Sequence, residues 1–144
     1  MIPSKNALDL IQHWESCRLT AYQDVRGIWT IGWGSTGPGI VEGLSISQQT
    51  ADGMLLGHIR EVGLFLTDLL GNTLRQNQFD AITSLVYNIG EEAFRCSTLC
   101  KLLKAGRFTE AAEEFPKWDH SGGMEVPGLL NRRLAEQQLF LSSI

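Results

Sequence analysis

The spacing of apolar residues predicts a helix near the N-terminus. Leu8, Ile11 and Glu15 are three and four residues apart. A helix from about Asn6 to Glu15 turns all three toward the same interior surface. Asn6 is the expected cap of this helix, with Asp9 three residues later in the position of a capping box. Glu15 is therefore predicted to be a half-buried carboxyl group on an apolar helix face.

Two short runs rich in β-branched and aromatic residues follow this helix. They extend from Leu19 to Tyr22 and from Ile28 to Trp33, and they predict the strands of a small hairpin. Side chains alternate between the two faces of a strand, so Thr30 shares a face with Gly32. A glycine beside a polar residue leaves room for a ligand to approach the backbone. Gly32 is therefore a candidate substrate-binding residue, although it could also simply mark a bend.

The pattern then changes to a loop and a long helix. Glycines predict the loop over residues 35–43. From about Ser47 to Leu70 the apolar residues keep a helical period, which predicts a helix of roughly 35 Å. A helix of that length can connect a small lobe to a larger one. His58 lies on its apolar stripe and is expected to be a packed residue rather than a ligand-binding one.

Helices alone are predicted for the rest of the chain. One of them has a wide apolar stripe, closed by Gly90 as its C-cap. The stripe consists of Phe79, Ile82, Leu85, Val86 and Ile89. Two helices capped by Ser97 and Thr109 follow it. A loop over residues 119–128 leads to a last helix, which is expected to begin at residue 127 or 128.

These elements predict one α+β domain that is mainly helical and has two lobes. A small antiparallel hairpin sheet belongs to the N-terminal lobe, which is expected to span residues 1–46. Residues 47–70 form the connecting helix, and residues 71–144 form a helical lobe. A chain of 144 residues is long enough to bury a substantial core, but too short for two independent domains with these elements.

Glu15 and Asp24 are two carboxyl groups in contrasting settings. Burial on a helix face disfavours the charged form of a carboxyl group, which suits Glu15 to donate a proton. Asp24 lies in the polar segment 23–27, which reads as a turn in contact with water. Two carboxyl groups in such different settings can cleave a glycosidic bond, since one protonates the leaving oxygen and the other serves the opposite face. Singly, each residue also fits a solvated helix end or a turn former.

Three stretches of the chain carry a resemblance to a known family. The joint spacing of Glu15, Asp24 and Thr30 within ESCRLTAYQDVRGIWTIGWGSTG resembles the phage-type lysozymes, the endolysins of the T4 lysozyme family. QNQFDAITSLVYNIG and WDHSGGMEVPGLLNRRLAE resemble two later motifs of that family, in the same order. The resemblance extends from about Leu8 to Phe140. Ser35 departs from it, because family members commonly carry a histidine there that supports the lobe.

The resemblance implies a lysozyme-like two-lobed domain and a set of residue roles. Glu15 corresponds to the proton donor, Asp24 to the second carboxylate and Thr30 to the residue that positions the attacking water. The implied reaction is hydrolysis, with inversion, of the β-1,4 bond between N-acetylmuramic acid and N-acetylglucosamine in bacterial peptidoglycan. It requires neither a cofactor nor a metal ion, and it ends a phage lytic cycle by lysing the host cell.

The later motifs add further candidate residues. Tyr87 and Asn88 belong to the motif that lies under the floor of the cleft in this family, so they are candidate substrate contacts. Arg132 corresponds to the arginine that these enzymes hold near the catalytic glutamate. Arg132 and Arg133 could instead be a solvated pair, but cations are unfavourable at a helix start, which favours a specific partner. Arg133 is expected to face elsewhere on the helix and to matter little.

Composition and charge restrict the possible partners. The chain is 43% hydrophobic and 19% charged, with a net charge of -4, a pI of about 5.3 and no long basic run. Nucleic acid is therefore not an expected partner. An acidic protein gains no long-range attraction to an anionic cell wall, so it must bind peptidoglycan glycan strands by short-range contacts in a cleft. We expect it to act as a monomer.

The N-terminal segment bears on where the protein acts. MIPSKNALDLIQHW contains no apolar run long enough for a signal peptide or a membrane anchor. We therefore expect the protein to stay in the host cytoplasm until a holin, a separate membrane-permeabilising protein, lets it reach the cell wall. The holin is needed for release and is not expected to be a stable partner.

Cysteines and histidines do not indicate a disulfide framework or a metal site. Cys17, Cys96 and Cys100 are odd in number and occur in a chain with a large expected core, so we interpret them as small buried thiols. The histidines are scattered along the chain without ligand partners at helical spacing; they are His13, His58 and His120.

Two other interpretations of the sequence stay open. A lytic transglycosylase uses a single acid and forms an anhydro sugar without water, which would leave Asp24 and Thr30 without a role. A non-catalytic wall-binding or structural phage protein on the same fold would have no reason to keep both carboxylates together with the threonine. The chemical nature of the reaction product distinguishes these alternatives from a hydrolase.

Overall fold

The computed structural model describes residues 1–121, 124–125 and 127–142. For residues 120, 121, 124, 125 and 127 it describes the backbone alone. The chain is mainly helical and has a small antiparallel hairpin near its N-terminus, so the predicted α+β fold class is confirmed. In chain order the elements are α1 (Lys5–Trp14), β1 (Arg18–Gln23), β2 (Trp29–Gly32), α2 (Gln48–Leu70), α3 (Gln76–Ile89), α4 (Glu91–Arg95), α5 (Thr98–Lys104), α6 (Phe108–Ala112), a 3-10 turn (Phe115–Lys117), β3 (His120–Ser121), β4 (Met124–Glu125) and α7 (Pro127–Leu141).

The first helix has a different cap from the predicted one. Ser4 is the N-cap, and its Oγ accepts the backbone N–H of Asn6 at 3.3 Å. Asp80 of α3, which is fully buried, fixes Ser4 by accepting its backbone N–H at 2.8 Å and also its hydroxyl. The predicted Asn6 cap is therefore wrong, and Asp9 forms an exposed ion pair with Lys5 instead of completing a capping box.

The predicted hairpin is present. β1 and β2 pair antiparallel, with Tyr22 opposite Thr30 and Gln23 opposite Trp29. Its strands differ from the prediction by one residue at each end. The backbone N–H of Asp24 donates to Ile28 O at 2.9 Å, which closes the turn between the two strands.

The core lies around α3, which packs against α1, α2 and α7. Every residue of α3 from Asn77 to Tyr87 is buried. Its helix ends at Gly90 as predicted, with a positive φ of 93° and an N–H that donates to Val86 O. The main core cluster joins apolar side chains of α2, α3, α5, the 3-10 turn and α7, among them Leu66, Ile82, Leu99, Phe115 and Phe140.

The later elements confirm some predictions and correct others. Ser97 caps α5, since its Oγ accepts the backbone N–H of Cys100 at 3.0 Å. Thr109 does not cap α6, because the helix begins at Phe108 and its N-cap is Arg107, two residues before the predicted cap. Neither the short helix α4 nor the two-residue strands β3 and β4 are predicted, and the strands fall in the segment interpreted as a loop, part of which lies outside the described residues. The last helix begins at Pro127, within the predicted range.

The three cysteines are not equally buried. Cys100 is buried as expected, whereas Cys17 is partly exposed and Cys96 is exposed. All three are free thiols. The interpretation as small buried thiols therefore holds for Cys100 alone. Within the described ranges of the chain, no helix combines the length and the apolar character needed to cross a membrane.

Candidate active site

The hairpin, the end of α1, the middle of α2 and the end of α3 enclose a cleft with a cavity of about 390 Å³. Five of the predicted site residues line it together: Glu15, Asp24, Thr30, Tyr87 and Asn88. The other lining residues are Tyr22, Arg26, Gly34, Thr36, His58, Ile89 and Gly90. The cleft thus joins the N-terminal motif to the motif that ends α3.

Glu15 is held from the opposite end of the chain. It is the C-cap of α1, where its N–H donates to Ile11 O at 2.8 Å, and its side chain is 20% exposed. Nη1 of Arg132 in α7 donates to Glu15 Oε1 at 2.7 Å, and Arg132 is only 3% exposed. Arg132 therefore lies where the family resemblance implies. A buried guanidinium fixes one oxygen of the carboxyl group and leaves Oε2 near Gly34.

Gly34 provides the space that Glu15 occupies. Its φ is +92°, which favours glycine, and a Cβ built on it would lie 2.2 Å from Glu15 Oε2. No heavy atom tolerates such a contact, so a side chain at this position must displace the carboxyl group. In the sequence Gly34 simply follows the predicted strand that ends at Trp33, and only the tertiary structure shows that it faces Glu15.

Because the family resemblance implies that Glu15 is the proton donor, Gly34→Ala is expected to lower the lytic rate by about tenfold: an acid displaced by even a fraction of an ångström loses its alignment with the bond that it protonates. The control is Gly39→Ala, which also has a positive φ, +86°, but no neighbouring atom within 4 Å of the new Cβ. Both variants add similar backbone strain, and only the first reaches Glu15. Equal activity of the two purified variants in a lysis assay would contradict this role of Gly34.

Asp24 shapes the turn that carries it. Its Oδ1 accepts the backbone N–H groups of Arg26 at 2.8 Å and Ile28 at 2.9 Å. An aspartate that bonds to the backbone of its own turn is rigidly placed. Among the described residues, no hydrogen bond engages Oδ2. One carboxylate oxygen is therefore used by the turn and the other is available at the cleft.

Thr30 lies on β2 and is 4% exposed. Its Oγ1 donates to Ile28 O at 2.9 Å. A hydroxyl group has one proton and two lone pairs. Because the proton is used by this internal bond, the oxygen is oriented to accept a hydrogen bond from a molecule in the cleft.

Tyr22 is a cleft residue that the sequence motifs do not mark. Burial raises the pKa of its phenol, and the nearby Glu15 carboxylate adds to this rise. The Arg18 guanidinium lies 4.4 Å from the centre of its ring and opposes the rise. Tyr22 pairs with Thr30 across the hairpin. The strand register could therefore have identified it, since residues directly opposite each other share a face.

Tyr87 and Asn88 end α3 beside the cleft but differ in exposure. The Tyr87 hydroxyl donates to Trp33 O at 2.6 Å, which ties α3 to the end of the hairpin, and burial raises its pKa. Tyr87 is only 7% exposed, so its main contact is within the protein. Asn88 is exposed, and its amide can both donate and accept hydrogen bonds in the cleft.

His58 is packed, as expected, but it also lines the cleft. Its ring lies 4.4 Å from that of Tyr87, and burial lowers its pKa against the opposing effects of nearby carboxylates. His58 and Ser35 both line a neighbouring cavity of about 350 Å³. The family commonly has a histidine at the position of Ser35. In this chain, α2 provides an imidazole beside that serine.

Gly32 does not lie on the cleft. Its φ is +64°, and the space beside it is occupied by Ala51 of α2, whose Cβ would be 3.5 Å from a Cβ at Gly32. The open space expected beside Thr30 is therefore filled by the protein itself. The sequence cannot reveal this contact, because α2 approaches the strand from a different part of the chain.

Arg133 faces elsewhere than Glu15, as expected, but its burial argues against the expectation that it matters little. It is fully buried, and its Nε lies 2.7 Å from Oε1 of Glu136, which is also fully buried. Glu136 follows Arg132 by four residues and Arg133 by three, so it can contact both on one helix. Neither arginine is solvated, and the pair forms part of a charged cluster inside the protein.

Comparisons with known proteins show the family of this chain. The sequence profile of the family described as phage lysozyme matches residues 12–136. The endolysin of Acyrthosiphon pisum secondary endosymbiont phage 1 is 42% identical over 144 residues, covering 97% of this chain and 98% of that protein. The endolysin of Bacillus phage PZA is 39% identical over 141 residues, which cover 96% of this chain but only 55% of that protein.

A solved structure shows the same fold. The muramidase domain of SpmX from Asticaccaulis excentricus superposes on this chain with a TM-score of 0.85 at 34% identity, covering 96% of this chain and 97% of that domain. The family profile covers most of the chain, and the endolysin relative matches it over nearly its full length. The chain belongs to the phage lysozyme family and is a lysozyme-type enzyme related to endolysins.

Proposed function

We propose that the enzyme hydrolyses the β-1,4 bond between N-acetylmuramic acid and N-acetylglucosamine in bacterial peptidoglycan, and thereby lyses the host cell. The observation that carries this proposal is the meeting of Glu15, Asp24 and Thr30 on one cleft, with Glu15 fixed by a buried arginine. Two carboxyl groups and a hydroxyl acceptor are the groups that this hydrolysis needs.

Glu15 acts as the general acid. In its protonated form it gives its proton to the glycosidic oxygen as the bond from that oxygen to the anomeric carbon breaks. Arg132 fixes Oε1, so the proton is presented from Oε2, the oxygen nearer to Gly34. The positive charge that develops on the sugar ring is stabilised by the carboxylate of Asp24.

Water completes the reaction. Thr30 Oγ1, whose own proton is held by Ile28 O, accepts a hydrogen bond from the water and orients it. The water oxygen bonds to the anomeric carbon from the face opposite the leaving group, which inverts the configuration. Asp24 takes the released proton. At the end of the cycle Glu15 has lost a proton and Asp24 has gained one, and exchange with solvent restores both.

Asp24→Asn is expected to lower the lytic rate by ~10²–10⁴-fold, since an amide can neither take a proton nor stabilise a cation. Asp24→Cys is expected to keep more activity, because a thiolate still provides an anion at alkaline pH. The measurement is the loss of turbidity of chloroform-treated Gram-negative cells, followed over a range of pH. The same loss of activity in both variants would show that the charge of Asp24 has no part in the reaction.

We further propose that the substrate is bound as extended glycan strands by a monomer, through short-range polar contacts. Asn88, Arg26 and Thr36 are exposed and line the cleft near the proposed acid, so they are positioned to bond to sugar hydroxyl and acetamido groups. Tyr87 is proposed to contribute its ring to the cleft floor. No cofactor or metal ion is needed for these contacts or for the acid and base steps.

We propose that the enzyme waits in the host cytoplasm until a holin opens the membrane. What supports this is the similarity of the chain to phage endolysins, one of them 42% identical over 144 residues. Expression of the chain alone is expected to leave cells intact until chloroform or a holin is added. Culture turbidity measures this, and prompt lysis that depends on the secretion machinery would contradict it.

A further inference from the structure

A buried charged cluster links the proposed acid to the last helix. It consists of Arg132, Arg133 and Glu136 of α7, which are 3%, 0% and 0% exposed, together with Glu15 at the cleft. We call these four residues the α7 charge cluster. In the mechanism proposed above, Arg132 has a role through its contact with Glu15, but Arg133 and Glu136 have none.

The contacts within the α7 charge cluster form a continuous chain. Arg132 Nη1 donates to Glu15 Oε1 at 2.7 Å, and Arg132 Nε donates to Glu136 Oε2 at 3.4 Å. Arg133 Nη2 donates to the same Oε2 at 3.1 Å, and its Nε lies 2.7 Å from Oε1. Glu136 is therefore one contact away from the arginine that fixes the proposed acid.

Residue Ser84 of α3 fixes this arrangement from the neighbouring helix. Its Oγ donates to Glu136 Oε2 at 2.5 Å, and its carbonyl oxygen accepts Arg132 Nη2 at 3.4 Å. The guanidinium of Arg132 is thus oriented by three acceptors, one of which is Glu15. A planar group bonded on several edges cannot rotate freely, so the orientation of Arg132 depends on Glu136.

The charges of the α7 charge cluster sum to zero when all four groups are ionised. Burial lowers the pKa of Arg133 to about 10, so this residue remains a cation at neutral pH. Burial also raises the pKa of Glu136, and the two arginines and Ser84 oppose that rise. Buried charges need such pairing, because an unbalanced charge in the interior acts strongly on its neighbours.

We propose that Glu136 is a positioning residue for the catalytic acid: it holds Arg132 against Glu15 and balances the charge that Glu15 faces. The inference rests on the proposed function, in which Glu15 is the acid. Glu136 does not line the cleft, and it acts through its contact with Arg132 and through its charge. Arg133 has the complementary part, since its cation offsets the charge of Glu136.

Glu15 is faced by titratable and charged groups from several elements packed around it. Outside the α7 charge cluster they are Tyr22 of β1, His58 of α2 and Tyr87 of α3. Within the cluster they are Arg132 and Arg133 of α7. Asp24 is a further carboxylate beside Tyr22. Substitutions at positions 133 and 136 leave the groups outside α7 unchanged. A change in the pH dependence of such variants therefore reports on the α7 charge cluster.

Glu136→Gln and Arg133→Met test the proposal because they are expected to shift the pH profile of activity in opposite directions. Glu136→Gln keeps the shape of the side chain but leaves two cations facing Glu15, which favours the ionised acid. The alkaline limb of the kcat/KM profile on purified peptidoglycan is expected to move to lower pH by about one unit. Arg133→Met removes a cation, so the limb is expected to move to higher pH by about the same amount.

A control separates this effect from loss of stability. Leu99→Ala empties part of the main core at a residue that does not line the cleft, and it is expected to lower the melting temperature without moving the limb. If either charge variant folds and its limb stays at the wild-type position, Glu136 is a structural residue only and the proposal is wrong. The direction of the shift is predicted separately for each variant, so one folded variant is enough to test the proposal. The proposed function fails by a different result, a wild-type chain without lytic activity or an active Glu15→Gln variant.

Discussion

Glu15→Gln is expected to lower the lytic rate by at least ~10²–10⁴-fold while the protein still folds. The amide has no proton to give to the leaving oxygen, so the step that breaks the glycosidic bond loses its acid. The fold survives because the amide oxygen can still accept the hydrogen bond that Arg132 Nη1 donates to Glu15 Oε1. Turbidity loss of chloroform-treated cells measures the rate, and circular dichroism confirms the folded state.

The matched control is Glu110→Gln. Glu110 is an exposed carboxylate of α6 that pairs with Arg107 at 2.7 Å and does not line the cleft. The same chemical change there is expected to leave the lytic rate unchanged. If the Glu15→Gln variant kept more than about a tenth of the wild-type rate, some other residue would be the acid, because such a loss is smaller than general acid catalysis provides.

Arg133→Ala is expected to have the largest effect on stability, a loss of ~3–5 kcal/mol. The substitution leaves Glu136 in the interior with one of its two cations removed, and it also opens a cavity where a fully buried side chain lay. Arg132→Ala is expected to lower both stability and activity, since it removes the group that fixes Glu15. Urea unfolding monitored by circular dichroism measures the free energy of each variant.

Arg107→Ala provides the comparison for this stability effect. Both side chains of its ion pair with Glu110 are exposed. Exposed ion pairs contribute less than about 1 kcal/mol to the free energy of unfolding. We therefore expect the free energy of unfolding to be much lower for Arg133→Ala than for Arg107→Ala. Similar values for the two variants would mean that the buried pair between Arg133 and Glu136 is not formed in solution.

Local signals in the sequence predict most of the fold. The caps Ser97 and Gly90 and the hairpin depend on residues within a few positions of each other, and the structure contains all of them. The cap of α1 depends instead on Asp80, which holds Ser4 across 76 positions of the chain. A pattern read along the chain cannot include such a contact, so the sequence favours Asn6.

The same distinction applies to the site. Glu15, Asp24 and Thr30 are close in sequence, and their spacing alone marks them. The role of Gly34 depends on the path of β2 past the end of α1, which no spacing shows. The burial of Arg133 is an intermediate case. Glu136 three residues later is a visible partner, but the packing of α7 on α3 decides that both lie in the interior.

The most direct test of the proposed function is the chemical structure of the cleavage product. Purified peptidoglycan is digested with the wild-type enzyme in water enriched in heavy oxygen, and the released muropeptides are analysed by mass spectrometry. Hydrolysis predicts reducing-end N-acetylmuramic acid that carries heavy oxygen from the solvent at its anomeric carbon. An unlabelled anhydro sugar would show a transglycosylase, and a reducing end at N-acetylglucosamine would show cleavage of the other glycosidic bond; either result would contradict the account.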